Sequence, residues 1–111
     1  MKLLSLKDIP SQSVSHNNQI SKRVWLANYE FGNITQLAQS VFPSGEKVTK
    51  HSHPDMGEVF MVQSGEGLIT VDGITHNLLP GVCTVVEPGE YHELENKGED
   101  DLVILYFGIR I

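Results

Sequence analysis

A chain of 111 residues, 40 % apolar and 20 % charged, has room for one domain with a real core, which excludes a disordered segment. The net charge is −6 and the eight Lys and Arg are scattered, so the basic stripe that a phosphate backbone needs is missing and no nucleic-acid partner is expected. No apolar run approaches membrane-spanning length, the opening stretch Met1 to Asp8 is broken by charge, and a lone Cys83 precludes an internal disulfide; a cytoplasmic protein with no membrane partner is expected.

Residues 1–22 are rich in Ser, Asn and Gln and lack an apolar stripe, which predicts an arm or an edge strand; residues 23–111 hold the folded unit. Val24 to Ala27 is the first predicted strand, and Ile34 to Phe42 is a second that stops at Pro43-Ser44-Gly45. Glu46 to His53 follows and is broken by Pro54-Asp55-Met56-Gly57. Glu58 to Gln63 ends at Ser64-Gly65-Glu66-Gly67. Leu68 to Val71 and Ile74 to His76 flank Asp72-Gly73, a pair that favours the positive φ angles of a tight hairpin. Val82 to Val86, Tyr91 to Glu95 and Leu102 to Phe107 complete the series, each set off by Gly, Pro or a polar turn. Short strands punctuated in this way predict an all-β antiparallel sandwich or barrel.

The histidines carry the chemistry. His51 and His53 are two residues apart on a predicted strand, so both rings point to one side. Taken alone, such a pair is more often two unrelated histidines than a metal site. Glu58 has the wrong parity for one continuous strand, but the break at Pro54 to Gly57 allows the chain to return and bring Glu58 back beside them, with Phe60 and Val62 on its own face. A carboxylate placed inside needs a positive partner, which a divalent ion supplies. His92 follows Pro88-Gly89 and shares its face with Leu94 and Asn96.

The spacing of these residues resembles the two motifs of the cupin superfamily. Gly45, His51, His53, Glu58 and Gly65 meet each fixed position of the first motif. Gly81, Gly89, His92 and Asn96 match the second, with Glu87 in the usual proline position and Pro88 after it. The resemblance spans residues 45–96 and implies a double-stranded β-helix, the RmlC-like jelly roll, over residues 23–111. It further implies one divalent transition metal (Mn, Fe, Ni, Co or Zn) on His51, His53, Glu58 and His92, with open positions for water or a small-molecule ligand. A homodimer is expected, as is common for small cupins. Three functions stay open: a metalloenzyme of dioxygenase, isomerase or lyase type acting on a small polar metabolite, a non-catalytic binding or sensing module, and a barrel stapled by its metal. No general base stands out, and Glu58 is the candidate for a proton shuttle.

The remaining candidates lack motif spacing. His16 and His76 are expected at the surface or in structural roles, and Cys83 is expected to pack as a small apolar residue. Trp25, Phe60, Tyr91 and Tyr106 are expected to line or rim a cavity or else to pack in the core. Strand parity does not place Gln36 or Gln63.

Overall fold

The computed structural model describes all of residues 1–111. Ten strands follow a short 3-10 turn at Leu6–Asp8: β1 (Gln12–Val14), β2 (Asn17–Leu26), β3 (Ile34–Phe42), β4 (Lys47–His51), β5 (Met56–Ser64), β6 (Gly67–Val71), β7 (Ile74–Leu78), β8 (Cys83–Val86), β9 (His92–Glu95) and β10 (Leu102–Arg110). They form a six-stranded sheet in the order β1-β2-β3-β10-β5-β8 and a four-stranded sheet in the order β4-β9-β6-β7. Every pairing is antiparallel. This is the jelly roll that the resemblance implies.

Period-two alternation explains why these segments are strands. In β3, Thr35, Ala38, Ser40 and Phe42 are buried, the phase of the alternation changing after Thr35. In β9 and the residue after it, His92, Leu94 and Asn96 are buried while Glu93 and Glu95 point outward. The core between the sheets is built from Ile20, Phe42, Phe60, Val62, Ile69, Leu78, Val86, Leu94, Leu102 and Ile104. It draws on both sheets, so neither sheet is stable without the other.

Turn chemistry sets the registers. Asp72 and Gly73 have φ values of 46° and 83°, and Val71 pairs with Ile74 across them, as a two-residue hairpin requires. Gly65 has φ 83°, and a Cβ there would run into the carbonyl oxygen of Asp101, so only glycine fits where β5 passes the start of β10. Asn96 is fully buried and closes the loop behind β9: its Nδ2 donates to the carbonyls of Phe42 and Asp100 at 2.8 Å each, and its Oδ1 accepts from the Gly98 amide at 2.9 Å.

Cys83 departs from expectation. It is exposed on β8, because Val82, Thr84 and Val86 take the inward phase and leave Cys83 and Val85 outside. Tyr91 departs too: it is 52 % exposed, with the Lys50 ammonium 5.3 Å from its ring centroid, and neither lines the cavity nor joins the core. No helix is long and apolar enough to cross a membrane.

Candidate metal centre

His51 ends β4, and His92 opens β9 directly opposite it, the two being Cα partners with ring centroids 4.3 Å apart. Val48 and His51 both face the cavity although their separation is odd. A register shift between them resets the alternation and turns His51 inward. His53 lies beyond the end of β4, where its carbonyl accepts the Gly89 amide at 2.8 Å. That bond ties the first motif to the turn of the second. Glu58 comes from β5 in the facing sheet, after the break at Pro54, Asp55.

The donor atoms of His51, His53, Glu58 and His92 lie within 4.8 Å of one another. The Nδ1 of His51 donates to the Thr49 carbonyl at 2.8 Å, and the Nδ1 of His92 donates to the Glu90 carbonyl at 3.1 Å. With Nδ1 so committed, each of these rings turns a bare Nε2 lone pair to the centre when neutral, the tautomer that metal ligation needs. Glu58 Oε1 stands 3.1 Å from His92 Nε2 and 3.2 Å from His53 Nε2. A neutral His53 with its proton on Nε2 donates to Glu58, but the bare Nε2 of a neutral His92 and the carboxylate oxygen repel each other unless a cation lies between them. The cation is either a proton or a metal ion, and the donor set fits a borderline transition metal.

The titration behaviour follows from the same crowding. Burial pulls His92 toward lower pKa, but the hydrogen bonds to Glu58 and to the Glu90 carbonyl, with the Glu58 and Glu90 charges, outweigh it and raise His92 above the usual histidine value. His51 is lowered, by burial first and then by His92 and His53, against the pull of the Thr49 carbonyl and Glu58. Burial, helped by the Glu58 charge, pushes the Tyr106 phenol up to about 12, so it stays a hydroxyl donor.

The centre opens on a cavity of about 180 Å³ between the sheets. Phe60 and Tyr106, stacked at 5.9 Å, form an apolar wall, as expected. Gln36 also lines the cavity, whereas Gln63 is exposed and bonds Gln39; Trp25 does not line it. His16 is exposed, as expected, but it and Lys22 also line the cavity, which their positions in the sequence do not announce. His16, in the turn between β1 and β2, lines the cavity and stacks on His51 with centroids 5.3 Å apart. Lys22 on β2 enters it as well. Neither carries a motif: His16 reaches the cavity through the turn of the β1-β2 hairpin, and Lys22 through the pairing of β2 with β3. Asn17 holds that hairpin down, donating to Glu46 Oε2 at 2.8 Å and to the Lys47 carbonyl at 3.1 Å. His76 stays exposed on β7, away from the cavity.

Comparison with known proteins agrees with this fold. An uncharacterized protein of Methanocaldococcus jannaschii is 27 % identical over 92 residues, which is 83 % of this chain and 74 % of that protein. An oxalate-binding protein of Thermotoga maritima is 30 % identical over 69 residues, 62 % of this chain and 57 % of that protein. Among solved structures, a predicted oxalate decarboxylase of Thermotoga maritima superposes with a TM-score of 0.91 at 22 % identity, covering 99 % of this chain and 100 % of the other. KdgF of a Halomonas species gives 0.83 at 21 % identity, covering 100 % and 96 %. At these identities the superpositions carry the fold and nothing further. The cupin domain family matches residues 39–108, from mid-β3 into β10 and across both motifs, and the chain belongs to that family.

Proposed function

We propose that His51, His53, Glu58 and His92 hold one divalent transition metal, and that the chain is a metalloenzyme of dioxygenase, isomerase or lyase type acting on a small polar metabolite. One observation supports this above all: three imidazoles and a carboxylate converge at the wall of a cavity, with their donor atoms within 4.8 Å of one another. Mn, Fe, Ni, Co and Zn all suit this nitrogen and oxygen set. When bound, such an ion supplies Lewis acidity or, if redox-active, electrons to an oxidant. The chain's own residues do the rest. The Thr49 and Glu90 carbonyls fix the tautomers of His51 and His92, Phe60 keeps the cavity partly dry, and Glu58 is the group placed to carry a proton.

A second reading is binding without turnover. It is favoured by the relative named an oxalate-binding protein and by the lack of a free carboxylate in the cavity, where Glu58 is the sole acidic group. Metal analysis of protein purified without chelators or nickel columns, then reconstitution and assay against small hydroxy and oxo acids with oxygen uptake recorded, separates the two. Turnover supports the enzyme, and ligand retention without turnover supports the binding module. Failure of every metal to bind, or full retention of metal by His51→Ala and His92→Ala variants, overturns the centre itself.

We also propose a homodimer in the cytoplasm. The exposed edge strand β8, with Val85 at 64 % exposure, supports the pairing, because an uncovered edge invites a partner strand. A monomeric mass by light scattering at micromolar concentration counts against it.

A further inference from the structure

Lys22 is a cation inside the cavity with no carboxylate partner. None of the ion pairs in the structure includes it. Its Nζ donates instead to Gln36 Oε1 at 2.9 Å, and Gln36 Nε2 donates to the Tyr106 hydroxyl at 3.4 Å. All three side chains line the cavity that the metal centre opens on. Placing an ammonium group on an inward-facing wall, against an amide acceptor alone, costs solvation that a neutral partner repays only in part.

The sheet geometry directs this cluster toward Glu58. Glu58 on β5, Gly108 on β10 and Gln36 on β3 are successive cross-strand partners and lie in one row. Gly108 carries no side chain between them, and a Cβ there would collide with Thr35 Oγ1. Thr35 and Met56 fill the space over Gly108, and the two ends of the row, Glu58 and Gln36, line the same cavity as Lys22. Beyond the imidazoles, Lys22 and Glu58 are the charged side chains that line this cavity. With a divalent ion on the histidines and Glu58, the lumen holds a surplus of two positive charges.

We infer that Lys22, with Gln36 and Tyr106, forms the anion-binding end of the cavity, and that the ligand is a small dicarboxylate, one carboxylate facing the metal centre and the other paired with Lys22. The inference rests on the metal reading for the first carboxylate, and on Lys22 alone for the second. Two negative charges match the surplus, and a cavity of about 180 Å³ leaves room for a short diacid. Tyr106 keeps its proton and Gln36 has an amide N–H, so both add donors to an incoming carboxylate.

The test uses the full chain loaded with Mn²⁺, with oxalate, malonate and succinate as probes and malonamide as the uncharged control, read by calorimetry. At least one diacid is expected to bind more than about tenfold tighter than malonamide. Lys22→Met is expected to weaken that diacid by about 10- to 100-fold, the loss typical of a charge-assisted bond, without weakening Mn²⁺ binding. Lys22→Arg, which keeps the charge, is expected to retain most of the affinity. Equal binding of diacid and malonamide, or an unaltered diacid affinity in Lys22→Met, overturns the inference even if Mn²⁺ binds normally. Absence of uptake of Mn²⁺, and of Fe²⁺, Co²⁺, Ni²⁺ and Zn²⁺ in its place, overturns the metal reading instead. In that case amide chemical shifts of β2 and β3 in the metal-free chain, titrated with malonate, decide the matter: shifts abolished by Lys22→Met uphold the anion site, and no shifts in the wild-type chain reject it.

Discussion

The imidazole of His16 lies stacked on that of His51, centroids 5.3 Å apart and planes 29° from parallel. The two come from distant parts of the chain. His51 ends β4, whereas His16 belongs to the hairpin turn that Asn17 latches onto the Glu46 side chain and the Lys47 backbone.

That stacking restricts the rotation of His51 about its side-chain bonds, which the Thr49 carbonyl alone does not do. His16→Ala is expected to weaken metal binding by about three- to tenfold, the range of one aromatic contact of ~0.5–1.5 kcal/mol. His16→Phe restores the stack without a nitrogen and is expected to recover the affinity. Calorimetric titration of both variants with Mn²⁺ checks this; an unchanged His16→Ala affinity contradicts it.

Acidification is expected to release the metal, and His92 sets where release begins. Its pKa is raised in the metal-free fold, so its proton stabilises that fold below the ordinary value of 6.5, and the gain disappears as pH rises through the raised value. His51 is lowered and acts oppositely, penalising the fold as pH drops through 6.5. A metal has to displace the His92 proton, while His51 is already free at that pH. Affinity is therefore expected to begin falling above pH 6.5, by about tenfold per pH unit for one displaced proton. Metal titrations at pH 8, 7 and 6 measure the slope.

Asn96, itself fully buried, holds three backbone groups of the loop behind β9. Asn96→Ala is expected to cost about 3 kcal/mol, because the carbonyls of Phe42 and Asp100 and the Gly98 amide lose a partner together. In a chain of this size that lowers the melting temperature by more than about 10 °C. Differential scanning calorimetry tests it, and a drop of a degree or two would show that the loop finds other partners.

Two glycines of the motifs separate backbone conformation from space. Gly65 and Gly89 have nearly the same φ, 83° and 85°, but a Cβ at Gly65 would strike Asp101, whereas nothing lies within 4 Å of one at Gly89. Gly89→Ala is expected to cost about 1–2 kcal/mol, the penalty of a left-handed conformation, and Gly65→Ala at least about 2 kcal/mol more. Urea midpoints of the two variants give the difference. Equal midpoints would mean that the β5–β10 crossing yields to a methyl group.

Much of the fold was legible before any coordinates. Nine of the ten strands overlap a predicted segment, and β3 has the predicted ends, since Gly and Pro punctuate the chain where the sheets turn. Strand β1 lies at the sheet edge within residues 1–22, where an arm or edge strand is expected, but three residues are too few for an alternation to mark its bounds. Phe60 and Val62 share the inward phase of β5 with Glu58, and Leu94 and Asn96 share that of His92, because parity within one strand is a local property. Cys83 and Tyr91, apolar or aromatic by type, stand in the outward phase, because the inward places belong to their neighbours.

What the sequence determined by itself is therefore the alternation of strands and turns, and the fixed intervals of His51, His53, Glu58 and His92. Those are properties of separations along the chain, and local stereochemistry is enough to interpret them. The tertiary structure alone decided that a bulge turns His51 inward, that His16 covers it, and that Lys22, Gln36 and Tyr106 meet across three strands of one sheet. Contacts of that kind depend on strand order and on the closing of one sheet over another. No interval between residues encodes such an order, because many arrangements of the same strands satisfy the same alternation.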